Sequence, residues 1–204
     1  MTPIFSTAYL PPIQYVATMA RHNAVMIEVK ETFPKQTCRN RTVIATAEGA
    51  RTLTVPTLRH NHSRTDEVAI DYSTRWNVQH LRTIQAAYAA SPYYLYYADG
   101  LADILNTNHK LLIDLNQALL SWLLKHLGIN TSTSQTVEFA PPKDTPADYR
   151  TAFSPKKQQQ IFTPKPYYQV FADRMPFLWD LSAIDLLMNL GPEANTYITN
   201  LETT

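Results

Sequence analysis

The sequence predicts an α/β fold: an N-terminal βαβ unit, an antiparallel hairpin, a helical middle section and C-terminal helices, in one compact domain spanning 1–204. Three observations predict it. A strand, a helix and a second apolar strand follow one another within the first 29 residues. Two threonine-rich alternating runs flank a glycine turn. Three long segments with helical apolar spacing then occupy the middle of the chain. At 204 residues with 45% hydrophobic and 17% charged residues, the chain is long enough to build its core without disulfides or metals.

Ile4–Leu10 reads as the first strand, stopped by Pro11-Pro12, and Ile13–His22 as a helix with Ile13, Val16, Met19 and Ala20 on one face. Ala24–Val29 is a nearly continuous apolar run, the pattern of a strand buried on both sides. Such a βαβ unit gives a parallel sheet, with ligands gathering at the carboxyl ends of its strands. Here those ends are Leu10–Tyr15 and Glu28–Glu31. Thr42–Thr46 and Arg51–Val55 form the hairpin, and Val68–Asp71 a brief strand.

Asn77–Ala90 reads as a helix with Ser73 or Thr74 as its N-cap, Pro92–Asn106 as a second, and Lys110–Leu127 as a third stopped by Gly128. Ser134–Phe139 reads as another strand. The segment 141–166, with six prolines and four lysines, is expected to be a loop or lid. Ser182–Leu190 is a helix, with Asp185 read as part of its N-terminal cap, and a short helix closes the chain.

Composition narrows the function classes. A net charge of +1 provides no global field for nucleic acid or anionic lipid. The N-terminal residues lack a signal-peptide pattern and no apolar run approaches the ~20 residues that span a bilayer. Neither nucleic-acid binding nor membrane insertion is therefore expected. With a single cysteine, Cys38, a cytoplasmic location is the expectation. The 4 glycines are scattered singly, which excludes a P-loop and a dinucleotide fingerprint.

The densest chemistry lies in Lys35–Arg41, three cations without an acid. If the backbone is extended there, Arg39 and Arg41 share one face and offer paired guanidiniums to phosphate or carboxylate, with Asn40 on the other. Its bland counterpart is a solvated edge strand. Gln14 and Tyr15 open the first helix, whose N-terminus favours anions. Lys156, in the proline-rich loop, is placed to close over a phosphate. Lys35, Arg39, Asn40, Arg41, Gln14, Tyr15 and Lys156 are thus the candidate ligand-binding residues.

His80, beside an apolar helix stripe, and Asp71, at a strand end, are the candidate general bases; each also has a purely structural reading as a core histidine or a turn cap. Cys38 between cations would be acidified if exposed. His60, His62 and Asp66 are too sparse a set for zinc, so no metal is assigned and no cofactor is named. Tyr93, Tyr94, Tyr96 and Tyr97 read first as a helix contact.

Taken in order, several stretches carry a resemblance. They are Tyr9–Tyr15; Lys35-Gln36 with Arg39-Asn40-Arg41 and Ile44; Ile70-Asp71-Tyr72 leading to Trp76 and His80; and Tyr88 through Tyr94. Asp148, Arg150, Pro155-Lys156, Tyr168–Phe171, Leu181-Ser182, Asp185–Leu187 and Asn189–Pro192 continue it. The chain resembles the WbqC-like family over nearly its whole length, departing where Trp179 stands in place of an expected proline.

The resemblance implies a bacterial protein of O-antigen or other surface-polysaccharide synthesis, one member having been suggested to transfer glycine; it carries over no catalytic residue. The expectation is an aminoacyl transferase acting on a small-molecule substrate, a nucleotide-linked sugar. The alternative is a non-catalytic partner of a polysaccharide assembly complex, and a third reading, from the strand–turn–helix start of the chain, is a nucleotidyl- or acyl-activating enzyme that binds a nucleoside triphosphate with Mg²⁺.

Overall fold

The computed structural model describes residues 2–34, 36–58, 62–142, 147–154, 157–158 and 160–204. Strand β1 (Ile4–Ser6), helix α1 (Ile13–Met19) and strand β2 (Ala24–Glu28) form the expected βαβ unit. β1 pairs in parallel with β2, setting Phe5 opposite Ile27. The third strand of this sheet comes from far along the chain: β7 (Ser132–Gln135) lies parallel to β2, with Ile27 opposite Gln135. Phe5, Val25 and Ile27, which share one face, are fully buried, whereas on the other face of β2 Ala24 is exposed and Met26 partly so; the expected burial on both sides is reached only toward the carboxyl end, at Glu28.

Strands β3 (Arg41–Thr46) and β4 (Gly49–Thr54) form the hairpin, closed by Ala47-Glu48 with Gly49 at φ 109°. The short strands β5 (Thr57–Leu58) and β6 (Ala69–Ile70) pair antiparallel. Helices α2 (Trp76–Tyr88), α3 (Tyr94–Asn106) and α4 (Leu112–His126) make the helical middle, and α5 (Ala183–Leu190) and α6 (Glu193–Thr199) the C-terminal end. A further hairpin, β8 (Phe153–Ser154) with β9 (Lys157–Gln158), lies inside the proline-rich segment. Among the described residues no helix is long and apolar enough to cross a membrane.

Three local expectations shift. β7 begins two residues before the predicted strand, because pairing with β2 selects the polar Ser132–Gln135 and leaves Val137 86% exposed. α2 is preceded by Arg75 with no side-chain cap; the predicted caps Ser73 and Thr74 lie upstream, in a turn held by Asp71. Ser182 does cap α5, but Asp185 does not join it. Its buried carboxylate accepts hydrogen bonds from Tyr88 (2.9 Å), Gln169 (3.1 Å) and Tyr167, tying α5 to the end of α2 and to the 167–169 segment. Burial raises its pKa, and three donors compensate the lost hydration.

α4 explains why a polar residue sits in a leucine-rich face. Asn116, 1% exposed, donates to Thr7 Oγ1 (3.0 Å) and to the Arg39 carbonyl (2.8 Å), and so pins the cation-rich loop to the end of β1. At the other end of the core, α5 stops at Gly191 (φ 54°), where an added Cβ would lie 2.5 Å from the Tyr93 ring. Gly191→Ala should therefore cost more than about 2 kcal/mol in urea unfolding, combining backbone strain with overpacking. Tyr93→Ala in that background should recover the steric share but not the backbone share.

Candidate functional site

Pro11 and Pro12 have no amide hydrogen, so the turn after β1 presents carbonyls to the rest of the chain without competing donors. The Leu10 carbonyl accepts from Thr42 Oγ1 (2.6 Å) and Ser182 Oγ (2.9 Å), and Leu10 itself is held at φ 43°. The Pro11 carbonyl accepts from Ala183 N (2.8 Å), while Ser182 N donates to the Val43 carbonyl (2.7 Å). Residues 180–183 thus run between the start of α1 and strand β3, and they bring Asp180 to the helix N-terminus.

α1 has no side-chain cap of its own, since Pro12 occupies the capping position. Its free N–H groups are satisfied from a distance: Ile13 N donates to the Leu181 carbonyl (2.9 Å) and Gln14 N to Asp180 Oδ1 (2.9 Å). The Gln14 side chain donates through Nε2 to Asp180 Oδ2 (2.8 Å). Its Oε1 in turn accepts from Ile161 N (2.7 Å) and Phe162 N (3.2 Å). Asp180 is 8% exposed and in the left-handed region at φ 55°. Burial raises its pKa to about 6, opposed by the two hydrogen bonds from Gln14.

Beside Asp180 opens a cleft of about 50 Å³ lined by Pro12, Cys38, Arg41, Val43, Phe153 and Ser182, among others. Arg41, the first residue of β3, is half-buried, and its Nε is buried with no hydrogen-bond partner among the described residues. Arg41 and Asp180 line the same cleft without forming an ion pair there. The arrangement is a carboxylate that titrates near neutrality and a guanidinium with an unused buried donor, around a space of one or two water molecules.

A buried charge cluster lies at the carboxyl end of β2. Arg39 is 4% exposed and donates to Glu31 through Nε (2.9 Å) and Nη2 (2.5 Å). Glu28, fully buried, accepts from Lys30 N (2.7 Å), Thr136 Oγ1 (2.9 Å) and Ala140 N (2.9 Å), and lies 3.7 Å from Arg150 Nη1. Arg150 also pairs with Asp148 through both oxygens, which raises its pKa. Glu31 is pushed upward, mainly by burial, with Arg39 opposing. These groups are mutually satisfied, so they fix the loop geometry around the cleft.

The remaining sequence candidates divide clearly. Arg39 and Arg41 do not act as a pair: residues 37–40 turn rather than extend, with Asn40 N on the Thr37 carbonyl (3.4 Å), so only Arg41 reaches the cleft. Asn40 is buried, donating to the Val55 carbonyl (3.0 Å) with its Oδ1 unpartnered among the described residues. Tyr15 is buried in an aromatic cluster and donates to the Ser6 carbonyl (2.8 Å).

His80 is 6% exposed, its Nδ1 2.8 Å from the Tyr9 hydroxyl and its other face bonded to the Thr54 backbone. Burial lowers its pKa to about 4, so it is neutral, with Tyr9 donating to Nδ1. Asp71 accepts from Ser73 N (2.8 Å), which lowers its pKa and gives it a turn-capping contact. Neither His80 nor Asp71 lines the cleft. Cys38, read as acidified if exposed, is buried, and burial raises its pKa despite Arg39. Asp66 is engaged by Lys30 (2.7 Å) and Arg64 (3.1 Å). Lys35, Lys156 and His60 lie outside the described residues.

A protein-family model described as the WbqC-like protein family matches residues 7–150. The chain belongs to the WbqC-like family. A search of curated proteins and of solved structures returned no match. The WbqC-like match contains Gln14, the cation-rich loop, Arg41 and the charge cluster through Arg150. Phe153, Asp180 and Ser182 are contributed by the C-terminal part beyond it.

Sequence reasoning marked Glu28–Glu31 as a strand end where ligands gather but gave neither acid a role, and it assigned none to Asp180. The available signal for Asp180 was one acid inside the apolar run Phe177–Leu181, two residues before a helix cap. For Glu28 it was an acid ending a buried strand.

Asp180 and His80 make opposite contributions to the pH dependence of stability. Asp180 titrates above its ordinary 3.8, so its contribution falls as pH rises from about 4 to about 6. His80 titrates below its ordinary 6.5, so its contribution is lost as pH falls from about 6.5 through about 4. Each amounts to roughly 3 kcal/mol at most. Urea unfolding between pH 4 and 6.5 should show a steeper acid loss in Asp180→Asn and a shallower one in His80→Gln, relative to the parent chain.

Proposed function

We propose that this WbqC-like protein is an aminoacyl transferase of surface-polysaccharide synthesis, which holds a small aminoacyl group, glycine or one of its size, between Arg41 and Asp180. The acceptor is an amino or hydroxyl group on a nucleotide-linked sugar. The single observation that carries this reading is the cleft itself: an acid with a pKa of about 6 and a buried, unpartnered guanidinium donor around about 50 Å³. Sites for drug-sized ligands run to about 300–1,000 Å³. A cleft this small favours a two-carbon aminoacyl group over a nucleotide, which would lie outside its mouth.

In the proposed mechanism Arg41 holds the carbonyl oxygen of the aminoacyl donor, an activated ester or thioester of the amino acid. Asp180, ionised at neutral pH, takes the proton of the attacking amine or hydroxyl as the new C–N or C–O bond forms. The C–O or C–S bond to the donor's alcohol or thiol breaks, and that group leaves with the electron pair and takes up the proton from Asp180. Gln14 orients Asp180 by hydrogen-bonding both carboxylate oxygens. Lys35 and Lys156 remain the proposed contacts to the acceptor's phosphates.

A second reading has its own observation. Leu95 and Tyr96 on α3 are 84% and 80% exposed, which favours a protein partner such as a component of a polysaccharide assembly complex.

Calorimetric titration with glycine, leucine and a set of nucleotide sugars separates these readings. Glycine should bind and leucine should not, and Arg41→Ala should weaken glycine binding by at least about tenfold, the worth of a charge-assisted hydrogen bond. Absence of binding by glycine and by every nucleotide sugar would move the assignment to the partner reading.

A further inference from the structure

Gln14 stands between two things that the sequence keeps far apart, the acid of the cleft and the proline-rich segment. Its amide can be oriented in only one way to satisfy both. Nε2 donates to Asp180 Oδ2 (2.8 Å), so Oε1 is left to accept from Ile161 N (2.7 Å) and Phe162 N (3.2 Å). Both backbone donors are thus held by one side-chain oxygen, and Gln14 is 2% exposed, so water does not readily replace it. The hydrogen-bond partner of Asp180 among the described residues is Gln14 alone, through the side chain and the backbone N–H.

We propose that Gln14 is a latch: while Asp180 is ionised the latch clips residues 161–162 over the start of α1, and protonation of Asp180 releases them. A proton on the carboxylate weakens the acceptor facing Nε2 and adds a donor beside the Gln14 amide, for which Oε1 is the amide's acceptor. Turning the amide to meet that donor sets Nε2–H against the N–H groups of Ile161 and Phe162, and both bonds to the segment are lost.

Asp180 titrates near pH 6, within reach of ordinary conditions. Arg41 and Cys38 are the charged and titratable side chains that line the cleft with it among the described residues; Cys38 is neutral there and Arg41 makes no ion pair with Asp180. The segment has a second anchor that the latch does not touch. Thr163 N donates to the Glu202 carbonyl (2.9 Å) and Thr204 N to the Ile161 carbonyl (2.9 Å). Release therefore frees one side of the strip and leaves the other attached to the C-terminal residues. That this controls access to the acyl-binding cleft rests on the function proposed above; the latch itself does not, and its test uses no ligand.

The test is residue-resolved hydrogen exchange on the full chain between pH 5 and 8, corrected for intrinsic exchange rates. In the parent protein the amides of Ile161 and Phe162 should lose about tenfold in protection as pH falls through 6, while Thr163 keeps its own. Asp180→Asn places a permanent donor against Gln14, so Ile161 and Phe162 should be unprotected and independent of pH. Gln14→Ala should do the same and, by removing a bond to the charged acid, should raise the Asp180 pKa measured by carboxyl NMR. Protection that is flat with pH in the parent, or unchanged in Gln14→Ala, would overturn the latch. Equal loss at Thr163 would also overturn it, because the segment would then be opening as a whole. Failure of glycine to bind, with the exchange pattern as expected, would leave the latch standing and remove only the function.

Discussion

The carboxyl end of the sheet depends on a turn whose two prolines have no N–H to donate. The Pro12 carbonyl is taken up by α1 itself, while the carbonyls of Leu10 and Pro11 are satisfied by groups from elsewhere in the chain. Thr42, Ser182 and Ala183 supply them. The hairpin and the entry to α5 are thereby drawn to one point, beside the N-terminus of α1. Leu10 accepts a left-handed backbone to make this possible, and Asp180 does the same on the incoming segment.

The burial of Asp180 follows from that convergence. A helix that starts on proline has no side chain to cap it, and its N–H groups attract an acceptor from outside. An acid is the strongest acceptor available, but the site that needs it is dry. The competition between desolvation and two hydrogen bonds leaves the carboxyl near neutrality instead of far to either side. The same balance acts elsewhere with different outcomes. Asp185 collects three side-chain donors, and Glu28 collects two N–H groups and a hydroxyl with Arg150 nearby. Those carboxylates are spent on holding segments together. Of the three, it is Asp180 that lines the cleft with Arg41.

The cation-rich loop illustrates how tertiary context reassigns residue types. Five charged groups, Glu28, Glu31, Arg39, Asp148 and Arg150, gather where the chain leaves β2, and each guanidinium is bound to a carboxylate. Buried ion pairs of this kind fix geometry more than they add stability. Here they hold the loop that carries Cys38 and Arg41 to the cleft, with Asn116 clamping it from α4. Arg39 serves as a positioning group, and its neighbour two residues on keeps a free donor.

Much of the architecture was legible in the sequence, because periodicity and burial are local signals. The apolar run of β2 marked it as a strand of a parallel sheet, where it lies between β1 and β7, the threonine alternation marked the hairpin, and the leucine stripe of α4 and the glycine after it marked that helix. The capping serine before α5 was legible for the same reason. Gln14 and Arg41 were readable as candidates because one opens a helix after a strand and the other lies in a run of cations. Asp180 was not, since one acid in a short apolar run is a weak signal that does not separate a buried acid from a loop acid. Its burial depends on hydrogen bonds to a residue 166 positions away. The split between Arg39 and Arg41 was likewise invisible, because it depends on Glu31 and on a turn at 37–40 that replaces extended backbone. The sequence by itself determined which segments become strands and helices. Only the tertiary structure decided which charged groups neutralise one another and which are left facing the cleft, because charge pairing depends on distances between segments that local sequence does not encode.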